Sequence, residues 1–218
     1  AASAALQENI GRQGHAKVPK GIELLSLADY FALGSRDRAY LDVAPAVFRL
    51  STDYADSILE CLLNDRLQHW DPAVRQLSSK ALGALIEKGT DDESEKNRLV
   101  KMAVDELSPR CLSIRDVGER QGALLGIAEA ILAARSKTVS YEEIAASVPE
   151  IDAKRLYRGR GGELVRVAAC RLVECLSRCG AQLSVKTQLR LLDTIDECAV
   201  HAVEDVRDAA VDALRQFT

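Results

Sequence analysis

The chain has 218 residues, a net charge of −4 and only 4% aromatic residues. That length suits one extended domain, or at most two compact ones, with a substantial core. The acidic balance argues against broad, sequence-independent nucleic-acid binding, which needs a basic field. No window reaches the ~18 uninterrupted apolar residues of a spanning helix.

Residues 1–20 begin AASAALQENIGRQ, without an initiator Met or a cationic-then-apolar leader. They read as a partly ordered N-terminal extension on a soluble piece of a longer chain. From residue 21 onward apolar residues recur at helical spacing, and helix formers outnumber β-branched and aromatic runs. The pattern predicts helices over 22–34, 38–50, 53–67, 72–88, 94–107, 114–136, 140–147, 162–178, 184–201 and 204–217. Pro45 inside the second of these predicts a kink or break. Asp71 followed by Pro72 is an N-cap with proline at the first helical position. Gly89 closes the next helix, DDESEK (91–96) opens another with acids suited to the N-terminal dipole, and Ser108–Pro109 should stop it.

ADYF (28–31), Tyr40 and Phe48 hold four of the eight Tyr and Phe residues. They read as the core of the first repeat, or as a surface docking on a repeat before it. His69 and Trp70 precede the Asp71 cap. A tryptophan at such an elbow is expected to be a packing anchor with its indole N–H bonded to backbone, the alternative being a partner hot spot.

A repeat organises the helices. DPAVRQLSSKALGAL (71–85), DVGERQGALLGIAEA (116–130), GELVRVAACRLVECL (162–176) and EDVRDAAVDALRQF (204–217) each open on an acidic or polar turn, place an arginine early, then run small and aliphatic. The arginines are Arg75, Arg120, Arg166 and Arg207, separated by 45, 46 and 41 residues. That interval lies within the ~40–47 residues of HEAT and armadillo repeats. The expected fold is all-α: a right-handed HEAT/armadillo-like α-solenoid of about five helix pairs over 21–218, in which stacking supplies the core. Asp71–Arg75 and Asp116–Arg120 are expected to support the first turn, and the arginines to bridge to the neighbouring repeat.

The six cysteines (61, 111, 170, 175, 179 and 198) form no CxxC pair and have no CxxxH partner. Ala168, Leu172, Cys175 and Cys179 make a core-facing stripe, so buried reduced thiols are expected rather than a metal site, as suits a reducing cytosol. The three histidines are too scattered for a triad, and nothing in the sequence suggests a nucleophile held by a base.

RLYRGRGGELVR (155–166) is the most unusual stretch. It lacks GxxxxGK[ST] and no strand precedes it, so neither a P-loop nor a dinucleotide fold applies. Residues 154–178 carry seven basic side chains against two acidic ones. Three readings stand: a connector braced by its arginines, a contact for an acidic protein partner, or an anion site. Arg155, Tyr157, Arg158, Arg160 and Trp70 are the candidate partner-binding residues. Residues 193–212 hold seven acids against Arg207; such a ridge is normally a solvated face, with a GTPase or a basic cofactor surface as the alternative.

Three blocks resemble the tubulin-folding cofactor D (tubulin-specific chaperone D) family: GIELLSLADYFALGSRDRAYLDVA (21–44), HWDPAVRQLSSKAL (69–82) and RLYRGRGGELVRVAACRLVECLS (155–177). They occur in the family's order, total 61 residues, and match its C-terminal HEAT portion. ADYF, HWD and RLYRG-x-GG are not general features of helical repeats. The resemblance implies a scaffold that captures β-tubulin, joins α-tubulin carried by a sister cofactor, and works with cofactors C and E and an Arf-like small GTPase. Tubulin's GTP hydrolysis is stimulated in that assembly, with the catalytic arginine ascribed to cofactor C. The chain is therefore expected to be non-enzymatic, with no cofactor, no metal, no nucleic acid and no membrane among its ligands. The expected location is the cytoplasm, with microtubules or the centrosome as further sites. The alternative is a HEAT scaffold of nuclear transport or phosphatase assembly, which gives no reason for the three blocks to occur together.

Overall fold

The computed structural model describes residues 35–217. The extension 1–20, the helix expected over 22–34 and the ADYF aromatics lie outside the described residues. Among those described, every regular element is helical and the fold is all-α. In chain order these are α1 (Arg36–Arg38), a π turn (Ala39–Val43), α2 (Ala44–Phe48), α3 (Thr52–Asn64), a 3-10 turn (Arg66–Gln68), α4 (Pro72–Lys88) and α5 (Glu93–Cys111). There follow α6 (Val117–Ala133), α7 (Tyr141–Ala153), α8 (Gly162–Arg178), α9 (Val185–Ala199) and α10 (Glu204–Phe217).

Local chemistry sets most starts. Ser51, Asp71, Asp92, Asp116, Ser140 and Ser184 each accept a hydrogen bond from a backbone N–H of the first turn, satisfying donors the helix cannot. Gly161, at φ 87°, takes the N-cap position of α8 and makes no side-chain cap bond.

Prolines break the chain less than their positions predict. Before Pro45 the helix widens rather than breaks: the Ala44 N–H reaches back to the Ala39 carbonyl, a π turn that makes room for the ring. α5 runs past Pro109 to Cys111, so Ser108–Pro109 is not a stop. The last turn is held by tertiary bonds: Arg110 donates to the Leu63 carbonyl at 2.6 Å and to Asn64 Oδ1 at 2.7 Å. Leu107 and Cys111 are buried beneath it. α7 likewise continues through Pro149 to Ala153, because Val148, Pro149 and Ile151 are all buried on its inner side. The segment expected at 53–67 divides into α3 and the 3-10 turn, and that expected at 114–136 is shorter at both ends, as α6.

The helices alternate between two rows. α4, α6, α8 and α10 pack side by side in chain order, with the π turn and α2 against the free side of α4. α3, α5, α7 and α9 make the other row, each packed against the even helix that follows it. One apolar core runs between the rows from Ala39 to Ala213 and takes in Tyr40 and Phe48. The stripe Ala168, Leu172, Cys175 and Cys179 lies in it. α6 is buried over most of its circumference. Gly122 is required there: a Cβ would sit 1.7 Å from the Leu67 carbonyl oxygen.

Two edges result. The loops within each hairpin (65–71, 112–116, 154–161 and 200–203) form the hairpin edge. The loops that return to the next hairpin (49–51, 89–92, 134–140 and 179–184) form the return edge.

Candidate partner-binding edge

The repeat arginines build the hairpin edge. The guanidinium of Arg75 is buried, with NH1 donating to the carbonyls of His69 and Trp70, six and five residues earlier. Arg207 repeats this, donating to the carbonyls of His201 at 2.8 Å and Ala202 at 2.9 Å, again six and five residues earlier. Arg120 donates to the Ser113 carbonyl. Each holds its own loop from beneath.

Two of these arginines also join neighbouring hairpins. Arg75 Nε donates to Gln121 Oε1 at 2.8 Å, and Arg120 NH2 donates to the Leu156 carbonyl at 3.1 Å. The partners are a carboxamide and a carbonyl. The acids expected to pair with them inside the first turn, Asp71 and Asp116, instead cap the N–H groups of Ala73 and Gly118. Burial pulls the Arg75 guanidinium below its ordinary pKa, and the fields of Asp116 and Asp71 oppose that pull.

Trp70 is not a packing anchor. It is 83% exposed. The space beneath the elbow is filled by Leu67 and by the Arg75 guanidinium, which leaves no room for an indole. The ring rests beside His69, with centroids 5.3 Å apart, and His69 Nδ1 accepts the Asp71 N–H at 3.1 Å. The tryptophan is thus both exposed and held on a clamped loop.

In the loop 154–161 the chain leaves α7 through a Schellman motif. The Arg155 N–H bonds the Asp152 carbonyl at 2.7 Å and the Leu156 N–H bonds the Ile151 carbonyl at 2.9 Å. Arg155 occupies the left-handed position of that motif at φ 57°, where glycine is preferred. Tyr157 then turns inward. It is 7% exposed, and the Arg166 guanidinium lies 4.3 Å from its ring centre. The Tyr157 carbonyl rests on Gly162, where a Cβ would stand 1.8 Å from the oxygen. Burial, followed by the nearby Cys198 thiol, pushes the Tyr157 phenol well above its ordinary pKa.

The seven basic residues of 154–178 fall into two groups. Lys154 pairs with Glu150 at 2.8 Å, Arg171 with Glu129 at 2.8 Å and Glu174 at 2.7 Å, and Arg178 with Glu174 at 3.2 Å. Arg166 is stacked on Tyr157 and lies 4.0 Å from Asp152. Arg155, Arg158 and Arg160 are exposed, and none of their guanidinium groups bonds any acceptor among the described residues. The positive patch is these three arginines.

The structure adds Ile114 and Arg115 to the candidates. Ile114 is 84% exposed, and Arg115, also exposed, bonds no described acceptor through its side chain. Their register was available in the sequence: they sit six and five residues before Arg120, as His69 and Trp70 do before Arg75. The acids of 193–212 are exposed at Asp193, Asp196, Glu197, Glu204, Asp205, Asp208 and Asp212. Five of the six thiols are buried and Cys61 is half-buried; burial raises those of Cys111 and Cys175 to about 12. Cys198 alone is lowered, by hydrogen bonding from Cys170 and from Arg166 at 3.8 Å.

The chain is 26% identical over 179 residues, 79% of its length, to a protein of Dictyostelium discoideum named tubulin-specific chaperone D. It is 36% identical over 85 residues, 39% of its length, to tubulin-folding cofactor D of Schizosaccharomyces pombe. The chain is similar to tubulin-folding cofactor D. It spans 12% of the length of the Dictyostelium chaperone and 7% of the fission-yeast cofactor D. No protein-family model matches it, and no solved structure does.

Proposed function

We propose that the chain is a segment of a non-enzymatic scaffold that binds β-tubulin during assembly of the α/β heterodimer. In this reading its partners also include tubulin-folding cofactors C and E and an Arf-like small GTPase. The observation that carries the reading is the similarity to the two named tubulin chaperones. The architecture suits it: the two-row packing and the 45-, 46- and 41-residue spacing fit a right-handed HEAT-like solenoid, which offers extended surfaces rather than an enclosed pocket. Such a surface holds a folded client by many modest contacts spread over several repeats.

Within the scaffold, Arg155, Arg158, Arg160 and Trp70 contact the partner, while Tyr157 braces the loop from inside. Co-elution of the protein with purified tubulin on size exclusion tests the assignment. A complex that forms with wild-type protein and weakens on reversing Arg158 and Arg160 is expected. Tubulin eluting alone in every mixture would contradict it.

A further inference from the structure

Among the described residues, the three most exposed large apolar side chains, Trp70, Ile114 and Val200 at 83%, 84% and 84%, all lie on the hairpin edge, in three different loops. Four arginines without described acceptors lie on that edge too: Arg115 beside Ile114, and Arg155, Arg158 and Arg160 in the next loop; Arg38 and Arg190, also without one, lie in α1 and α9. Neighbouring hairpins are joined by direct bonds. Arg75 links the first to the second hairpin through Gln121, and Arg120 links the second to the third through the Leu156 carbonyl. Gly161 lies so near Val117 that a Cβ would be 3.1 Å from its methyl group. Loops 65–71, 112–116 and 154–161 therefore form one surface, held in place before any partner arrives.

Its chemistry is ordered along the chain. The first loop offers an indole, the second an isoleucine and an arginine, and the third three arginines. Beyond it, Val200 is flanked by Glu197, Glu204 and Asp205, so positive charge ends at the third loop. Aromatic and arginine side chains on a preorganised surface are the usual anchors of an interface. Unpaired guanidinium groups call for carboxylates, which they bind in a bidentate manner.

We propose that this edge docks an extended acidic segment of a partner protein, with one or two apolar side chains on Trp70 and Ile114 and the following carboxylates on Arg115, Arg155, Arg158 and Arg160. The proposal deepens the scaffold reading above and rests on it for the existence of a protein client. The length is defined by the fold. Adjacent helices pack about 8–10 Å apart, so the strip from the first to the third loop spans about 20 Å. An extended strand at about 3.3 Å per residue covers that with roughly six residues. Charge complementarity chooses the occupant: a second copy paired through this same edge would bring arginines to arginines.

The test is fluorescence anisotropy with labelled peptides on the whole chain. One peptide carries Phe and Leu three residues apart followed by four Glu; the second has Ser in place of both apolar residues; the third has Lys in place of Glu. The first should bind at least tenfold more tightly than either other. Trp70→Ala and the pair Arg158→Glu, Arg160→Glu should each weaken it about tenfold or more, with unchanged circular dichroism. Ile114→Ser should weaken it by a smaller factor, and added salt should act mainly through the arginines.

Equal binding of the first and second peptides, or indifference to Trp70→Ala, would overturn the proposal. So would displacement of the peptide by a single-stranded uridine oligomer, or a Trp70-dependent dimer in sedimentation velocity. Tubulin capture by the same variants separates the two readings. Capture that persists while the peptides fail to bind removes the strip and keeps the scaffold. Peptide binding without tubulin capture does the reverse.

Discussion

The two edges of the same stack handle their polar groups in opposite ways. On the return edge, side chains are used up in joining hairpins. Arg49 meets Asp91 at 2.7 Å, Arg135 donates to the Arg178 carbonyl at 3.1 Å, and Cys179 Sγ donates to the Ile131 carbonyl at 3.0 Å. Glu142 receives the Ser184 hydroxyl at 2.7 Å, the Ser184 N–H at 3.0 Å and the Thr187 hydroxyl at 2.6 Å. On the hairpin edge the backbone is secured from beneath, by buried arginines and by glycines on which carbonyls rest. The outward side chains are left over: Trp70, Ile114, Arg115, Arg155, Arg158 and Arg160. One edge is bound to itself through its side chains, and the other is bound through its backbone with its side chains free.

Substitutions separate these roles. The largest effect should come from Gly162→Ala, which drives a methyl into the Tyr157 carbonyl and should cost about 3 kcal/mol or more in urea unfolding. Gly122→Ala should do the same against the Leu67 carbonyl. Next, Arg75→Ala leaves the His69 and Trp70 carbonyls and Gln121 without their donor, at about 2–3 kcal/mol. It should also release the Trp70 loop, seen as faster amide exchange over 67–71 than in wild type.

On the return edge, Ser184→Ala removes the α9 cap and should cost about 1 kcal/mol. Glu142 adds a pH signature. Hydrogen bonds from the Thr187 hydroxyl, the Ser184 N–H and the Ser184 hydroxyl hold its carboxyl below the usual carboxylate range. A folded pKa below the unfolded one gives stability that is complete above the ordinary carboxylate value and is lost as pH falls through the lowered one. Glu142→Gln should therefore flatten the acid limb of a plot of urea midpoint against pH, leaving its slope above neutrality unchanged. Arg155→Gly should raise the unfolding free energy slightly, by up to about 1 kcal/mol, because the left-handed position suits glycine.

Much of this fold is legible in the sequence because period and caps act locally. Pro72–Lys88, Gly162–Arg178 and Glu204–Phe217 begin and end where the pattern places them. The errors lie where tertiary contacts outweigh a local signal. Pro109 does not end α5 because Arg110 binds the end of α3, and Pro149 does not end α7 because burial holds its last turn. The candidate site was legible in composition and not in direction. RLYRGR announces arginines, but only folding shows Tyr157 turned in and three guanidinium groups turned out. Trp70 misleads for the same reason: its sequence position is an elbow, and the elbow's interior already holds Leu67 and Arg75. The repeat arginine supplies the missing rule. Ile114 and Arg115 precede Arg120 by the same six and five residues that separate His69 and Trp70 from Arg75, on loops that these two arginines clamp.

The most direct measurement compares wild-type protein with the double variant Arg158→Glu, Arg160→Glu in two assays side by side: urea unfolding and capture of purified tubulin. The account predicts the same unfolding midpoint and a loss of capture of about tenfold or more, since neither guanidinium serves the fold. A lowered midpoint would make the arginines braces, and undiminished capture at an unchanged midpoint would remove the hairpin edge from the binding surface.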